Sequence, residues 1–193
     1  MIIYHHLGLG DHFICFGLVM ELTKGNGSIY CKEKNIKSVT DLYHGTNIKL
    51  IPIKDDSEVT KYDYKIGFNS ECEKEIEFGT EFYAQANLKY QIRWKYKPNI
   101  NRKRYTNKKK QDIVICDSLE HKINIDGYRP SGKESIFDYI YILENAKEIH
   151  VIESSFKQFL EFLKPKGKLF YHFKKNKSWR IVPSKHNYII IND

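Results

Sequence analysis

The 193-residue sequence has no long hydrophobic run and very little alanine or arginine. No stretch approaches the roughly 18 consecutive apolar residues that a transmembrane helix needs, so we expect no membrane span. The amino-terminal residues also lack the basic region and the small-residue cleavage site of a signal peptide. We therefore expect a cytoplasmic protein.

The sequence also lacks paired cysteines. Cys15, Cys31, Cys72 and Cys116 are widely spaced and form no Cys-x-x-Cys motif. Without an export signal, this spacing indicates reduced thiols and neither a disulfide framework nor a zinc site. Because no grouping of His, Cys and Asp has the spacing of metal ligands, we expect no metal and no resident cofactor.

The sequence has enough apolar residues to form a hydrophobic core, and it has more basic than acidic residues. Hydrophobic residues make up 41% and aromatic residues 14%, which excludes wholesale disorder. The net charge is +8, and 27 of the 32 basic residues are lysine, as an AT-rich genome would favour. Codon bias predicts scattered lysines, yet residues 89–110 hold ten basic and no acidic side chains. Residues 162–192 are a second acid-free segment with eight basic side chains, so the clustering needs a further reason.

Short apolar strands alternate with helices along the whole chain, a pattern typical of α/β folds with parallel sheets. We predict two compact Rossmann-like units, 1–95 and 112–193, joined by a basic linker over 96–111. The predicted strands are 2–6, 28–32, 47–53, 64–68, 112–116, 148–152, 169–173 and 188–191. The predicted helices are 12–24, 36–43, 81–89, 135–146 and 156–163.

The first strand leads into a glycine loop, Gly8-Leu9-Gly10. Such a loop lets the backbone approach a ligand, and the helix that follows favours anions at its amino terminus. The dinucleotide fingerprint would need a third glycine where Phe13 stands, and no Gly-Lys-Ser/Thr follows as in a P-loop. A nicotinamide or flavin dinucleotide site is therefore not predicted.

Asp11 follows this loop and admits two interpretations. It can be the N-cap of the helix, or it can be a carboxylate at the ligand-binding end of the strand that accepts a proton from a hydroxyl. His6 and His12 flank it and could bind a ligand at the loop, or they could fill the loop as polar residues. His150 is expected to be a satisfied residue of the sheet.

The second half has an equivalent strand-to-helix turn, Glu153-Ser154-Ser155. Its hydroxyls and amides could hold phosphate oxygens, although a serine N-cap is the simpler role. The Gly-x-Ser-x-Gly motif of serine hydrolases is absent, which argues against a serine nucleophile.

These two turns resemble those of GT-B-type glycosyltransferases, in particular heptosyltransferase-like and related phage or bacterial sugar-transferase-like proteins. Residues 6–15, with Gly8-Leu9-Gly10-Asp11, look like their amino-terminal loop. Residues 146–156, with Glu153-Ser154-Ser155, look like their nucleotide-sugar motif, and Phe82-Tyr83 with Arg93-Trp94 are similar to a mid-chain pattern.

The resemblance implies a GT-B-like arrangement in reduced form, with the acceptor bound by the first unit and the nucleotide-diphosphate sugar by the second. Asp11 would be the general base, with Gly8, Gly10, His6 and His12 in the acceptor loop. Glu153, Ser154 and Ser155 would bind the donor phosphates, and the basic segments could supply Lys109, Lys110, Lys174 and Lys175. Transfer in this family is usually independent of metal. Lys157 and Gln158 stand where the family usually has a histidine.

Two alternatives stay open. Tyr90, Trp94, Tyr96 and Tyr105 are interleaved with the basic residues of 89–110, which suits a protein that stacks on single-stranded nucleic acid. The chain could also be a catalytically inactive GT-B relative that binds its ligand without transfer.

Overall fold

A computed structural model describes residues 1–68, 79–105, 109–173 and 184–192. The chain divides into two compact units, Met1–Ile100 and Asn101–Asp193, with the boundary inside the segment predicted as a linker. Each unit holds one four-stranded parallel sheet flanked by helices, which confirms the predicted α/β class. No helix in the described ranges is long and apolar enough to cross a membrane.

The first unit alternates strands and helices. Its sheet has the order β3-β2-β1-β4, and every pairing is parallel. The elements are β1 (Ile2–His5), α1 (Leu9–Thr23), β2 (Asn26–Lys32), α2 (Ile36–Leu42), β3 (Asn47–Ile53), β4 (Tyr64–Ile66), α3 (Thr80–Gln85) and α4 (Ile92–Lys95).

Helix α1 is central to this unit and is buried on most of its surface. It packs against β1 and β2 as well as α2, α3 and α4. The approach of α4 depends on Gly17, because a Cβ there would lie 2.6 Å from the carbonyl oxygen of Ile92 and 2.8 Å from Cα of Arg93. The helix ends where Lys24 and Gly25 adopt left-handed backbone conformations.

The second unit repeats the pattern on its own sheet, in the order β5-β6-β7-β8, again all parallel. Its core contains Phe137, Leu143, Phe159 and the apolar side chains of the central strands. The elements are β5 (Ile113–Cys116), α5 (Ile140–Asn145), β6 (Glu148–Val151), α6 (Ser155–Leu160), β7 (Lys168–Phe173) and β8 (Ile189–Asn192).

The predicted helix bounds differ from the structure at several ends. Helix α1 begins at Leu9, three residues before the predicted start, and α6 ends at Leu160, three residues before the predicted end. Two helices differ more. The helix predicted over 81–89 is α3 and ends at Gln85, because Asn87 takes a left-handed conformation with φ 54°. The helix predicted over 135–146 is a 3-10 turn, Ile136–Tyr139, followed by α5. The Oγ of Ser135 caps that turn by accepting a hydrogen bond from the amide of Phe137 at 3.3 Å.

Part of the predicted linker is packed against the second unit. Arg102 donates two hydrogen bonds to the Glu144 carboxylate, at 3.2 and 2.7 Å. Tyr105 is buried with its ring 5.9 Å from that of Phe137. These contacts fix residues 102–105, whereas residues 106–108 lie outside the described residues.

The cysteines that the structure describes are buried free thiols: Cys15, Cys31 and Cys116. Burial raises the pKa of each, to about 12 for Cys31. They therefore remain protonated and unreactive near neutral pH. Cys72 lies outside the described residues.

Candidate functional site

The turn between β1 and α1 brings the predicted loop residues together. Gly8, and not Asp11, is the N-cap of α1, and its carbonyl accepts hydrogen bonds from the amides of Asp11 (3.1 Å) and His12 (3.2 Å). The N-cap interpretation of Asp11 is therefore wrong, since the helix begins at Leu9 and Asp11 lies in its first turn. A Cβ on Gly8 would lie 2.6 Å from Oδ2 of Asp11, so glycine gives the carboxylate room to fold back over the turn.

Asp11 is paired with His6. The Nδ1 of His6 lies 3.2 Å from Oδ2 of Asp11, and the side chains are 50% and 14% exposed. The carboxylate raises the pKa of His6 by accepting this hydrogen bond. The pair lies at the carboxyl end of β1, where parallel α/β sheets bind ligands, and it offers a mostly buried carboxylate oriented by a half-exposed imidazole.

His12 lies in the core, away from the loop surface on which a ligand was predicted. It is fully buried against His5, with ring centroids 4.5 Å apart, and burial lowers the pKa of both residues. Neither ring nitrogen of His12 has a hydrogen-bond partner among the described residues. This neutral histidine pair packs beneath the loop and is not available to a ligand above it.

The turn after β6 contains the second set of predicted residues. Ser154 occupies the N-cap position of α6, with φ −159° and ψ 173°, but its side chain makes no capping hydrogen bond. Its Oγ is buried and has no hydrogen-bond partner among the described residues. Ser155 is the first residue of α6. A hydroxyl that does not cap its helix, buried at a strand end, is a group that a ligand could satisfy.

Glu153 is held by its own helix. Nζ of Lys157 lies 2.8 Å from Oε2 of Glu153, and Gln158 donates to Oε1. Lys157 is only 3% exposed, and its ammonium lies 5.1 Å from the ring centre of Tyr171. Lys157 and Gln158 therefore hold the Glu153 carboxylate at the start of α6.

A cavity of about 410 Å³ opens at the carboxyl ends of β5, β6 and β7. That volume falls within the range of small-molecule sites, and the location is where α/β sheets bind ligands. The cavity joins two of the three residues of the predicted donor turn, Glu153 and Ser154, to residues at the ends of the neighbouring strands, and Ser155 is not among its lining residues. The other lining residues are Ser118, Leu119, Glu120, His121, Ile152, Tyr171, His172 and Phe173.

The predicted lysines are not brought to this cavity within the described structure. Lys109 and Lys110 are exposed and precede β5, whereas the cavity lies beyond the opposite end of that strand. Lys174 and Lys175 lie outside the described residues. Within the described residues, Lys157 brings a positive charge to the turn by pairing with Glu153.

The aromatic residues of 89–110 make contacts within their own units. Tyr90 and Trp94 both pack on the buried guanidinium of Arg93, which is 5.7 and 4.5 Å from their ring centres. Tyr96 donates a 2.6 Å hydrogen bond to Glu21, and Tyr105 is buried. Of these four aromatic residues, Tyr105 is buried, whereas Tyr90, Trp94 and Tyr96 are partly exposed.

Sequence reasoning missed Tyr171 and His172, because neither lies in a recognisable motif. His150 was expected to be a satisfied residue of the sheet. It lies in β6 with its Nδ1 2.9 Å from Nε2 of His172, but its buried Nε2 has no hydrogen-bond partner among the described residues. Only the pairing of β6 with β7 brings these two histidines together.

No group of three or more potential metal-ligating side chains occurs in the part of the chain that the structure describes. Comparison of the chain with known protein families, curated proteins and solved structures finds no match.

Proposed function

We propose that this chain is a glycosyltransferase of GT-B type that transfers a sugar from a nucleotide-diphosphate sugar to an acceptor hydroxyl without a metal. The observation that carries the proposal is the cavity at the carboxyl ends of β5–β7, which includes Glu153 and Ser154 of the predicted donor turn. Two parallel α/β units and the family-like loop at β1 support it.

In the second unit the cavity would hold the donor. The buried hydroxyl of Ser154 would donate to a phosphate oxygen, and the Glu153–Lys157 pair would keep the turn in place. Imidazoles of His121 and His172 line the same cavity and could offset charge that develops on the departing diphosphate.

In the first unit Asp11 would act as the general base. His6 holds Oδ2 of Asp11, so Oδ1 is the oxygen that would accept the proton of the acceptor hydroxyl. The oxygen of that hydroxyl would then attack the anomeric carbon as the bond to the diphosphate breaks. Gly8 keeps the backbone of the loop close to the carboxylate.

Thermal-shift and transfer assays test the proposal in two steps. We expect at least one of UDP-glucose, GDP-mannose and ADP-glucose to raise the melting temperature of the wild type and of Asp11→Asn equally. Transfer by Asp11→Asn should fall by about 10²- to 10⁴-fold, the usual contribution of a general base. Glu58→Gln, which changes an exposed carboxylate of the same unit, should behave as the wild type.

The outcomes separate the possibilities. Stabilisation by a nucleotide sugar without any transfer would identify an inactive relative that binds its ligand. No stabilisation by any of the three sugars would overturn the proposed function. Equal transfer rates in Asp11→Asn and the wild type would remove Asp11 from the mechanism.

A further inference from the structure

Three side chains of the second unit form a line that leads into the cavity. Oε2 of Glu148 lies 3.5 Å from Nε2 of His150, and Nδ1 of His150 lies 2.9 Å from Nε2 of His172. Both histidines are buried, at 5% and 4% exposure, whereas Glu148 is 40% exposed. His172 lines the cavity, so the line connects the cavity wall to a carboxylate at the surface.

The line contains one hydrogen bond, between the two histidines, and one longer charge contact, from Glu148 to Nε2 of His150, which makes no hydrogen bond among the described residues. A bond between two imidazole nitrogens needs one donor and one acceptor. Because Nε2 of His150 faces the Glu148 carboxylate, the ring hydrogen of His150 belongs on Nε2 and its Nδ1 accepts. His172 therefore donates from Nε2, and both rings are neutral in this arrangement.

The surroundings favour the neutral pair until an anion arrives. Burial lowers the pKa of His150, the nearby His172 lowers it further, and Glu148 opposes both effects. Phe170 stacks on the His150 ring at 4.5 Å and adds no charge. Among the described residues, the other charged or titratable side chains at the cavity are Glu120, His121, Glu153 with its partner Lys157, and Tyr171.

An anion in the cavity would change this balance. It would lie against the His172 side of the pair, while Glu148 faces the His150 side. If the pair took up a proton from solvent, its positive charge would therefore be stabilised by a negative charge on each side. In a buried site such charge pairs interact more strongly than in water. By linkage, a ligand that stabilises the protonated pair binds together with that proton.

We propose that the Glu148–His150–His172 line takes up one proton when a phosphate-bearing ligand enters the cavity, so that the ligand binds more tightly as the pH falls. This inference rests on the proposed function, since it takes the ligand to be a nucleotide-diphosphate sugar. Uptake of one proton makes the affinity change by about tenfold per pH unit over the range in which the free pair is neutral.

Isothermal titration calorimetry measures the proton directly. The wild type is titrated with UDP-glucose, GDP-mannose and ADP-glucose in two buffers of different ionisation enthalpy. Both phosphates of these ligands are esterified, so the ligands do not themselves titrate between about pH 5 and pH 8. We expect uptake of close to one proton per bound sugar and an affinity that rises from about pH 8 to pH 6.5.

Variants assign the proton to this line. Glu148→Gln removes the carboxylate that stabilises the charged pair, and we expect it to bind the same sugar with much less proton uptake and a weaker pH dependence. Asp126→Asn removes the same charge from an exposed position in the same unit and should keep the wild-type uptake. Histidine NMR titration of the free proteins should show that Glu148→Gln moves the titration of His150 to lower pH.

Each result decides the inference. Sugar binding without proton uptake, or the same uptake in Glu148→Gln as in the wild type, would overturn the inference and leave the proposed function standing. A free protein in which Glu148→Gln leaves the titration of His150 unchanged would also overturn it. Failure of all three sugars to bind would overturn the proposed function and the proton uptake with it.

Discussion

The ion pair between Glu153 and Lys157 gives a sharp test of how the donor turn is held. Lys157 is 3% exposed and Glu153 14%, and their charged atoms are 2.8 Å apart. Removing one member of a buried pair leaves an uncompensated charge and typically costs about 3–5 kcal/mol. Because a domain is stable by only about 5–15 kcal/mol, Glu153→Gln should destabilise the second unit severely.

The second variant removes both charges. Lys157→Met keeps an apolar side chain of similar length but lacks the ammonium that lies over the Tyr171 ring. In the double variant, Glu153→Gln with Lys157→Met, no charge is left unpaired, so most of the lost stability should return. Glu153→Gln should lower the stability more than Lys157→Met does. It leaves the nearly inaccessible ammonium of Lys157 unpaired, whereas in Lys157→Met the Glu153 carboxylate still accepts a hydrogen bond from Gln158 and is partly exposed to solvent.

Hydrogen exchange resolved by segment measures the stability of the second unit separately from that of the first. Amides of β6, β7 and α6 should lose protection in Glu153→Gln and regain it in the double variant, while those of β1, β2 and β3 report on the first unit as an internal reference. If Glu153→Gln lowers the free energy of unfolding of the second unit by less than about 1 kcal/mol, which is the contribution of an exposed ion pair, the reasoning is refuted. A double variant that is no more stable than Glu153→Gln would refute it as well.

Three further predictions concern the first unit. Gly17→Ala should cost about 1–3 kcal/mol in a urea unfolding experiment, since its Cβ would meet the backbone of α4, and unchanged stability would contradict that contact. The pKa of His12 is lowered by burial, so its contribution to stability is complete above about pH 6.5 and is lost as the pH falls. His12→Phe should therefore reduce the slope of the free energy of unfolding against pH below about pH 6.5, by up to about 1.4 kcal/mol per pH unit. An unchanged slope would argue against a buried ring. Tyr83→Phe should cost about 1 kcal/mol in thermal unfolding, because it removes the 2.9 Å hydrogen bond from the buried hydroxyl to the carbonyl of Ile14, and a variant as stable as the wild type would contradict that bond.

The acid-base behaviour of the loop differs from that of the core beneath it. The pKa of His6 is raised by Asp11, so the stability from this pair is present below about pH 6.5 and is lost as the pH rises through the folded-state pKa. His5 and His12 contribute in the opposite direction, since burial lowers the pKa of both. One short segment thus holds histidines with opposite pH dependence, according to whether a carboxylate or the core surrounds them.

Most elements could be predicted because their signals are local. The run 47–53 and the apolar strands 112–116 and 148–152 carry enough apolar residues to be identified alone, and the structure has strands there. The ends of helices were harder to place. Asn87 ends α3 through its backbone conformation, which the apolar spacing of 81–89 does not reveal.

The sequence by itself determined the α/β class, the two strand-to-helix turns and the clustering of positive charge, because periodicity and short motifs express them within a few residues. Only the tertiary structure decided which side chains meet. It buried His12, paired Glu153 with Lys157, kept Lys109 and Lys110 at the far end of β5, and joined His150 to His172. Those outcomes depend on strand register and on packing between distant segments, and a sequence pattern contains neither.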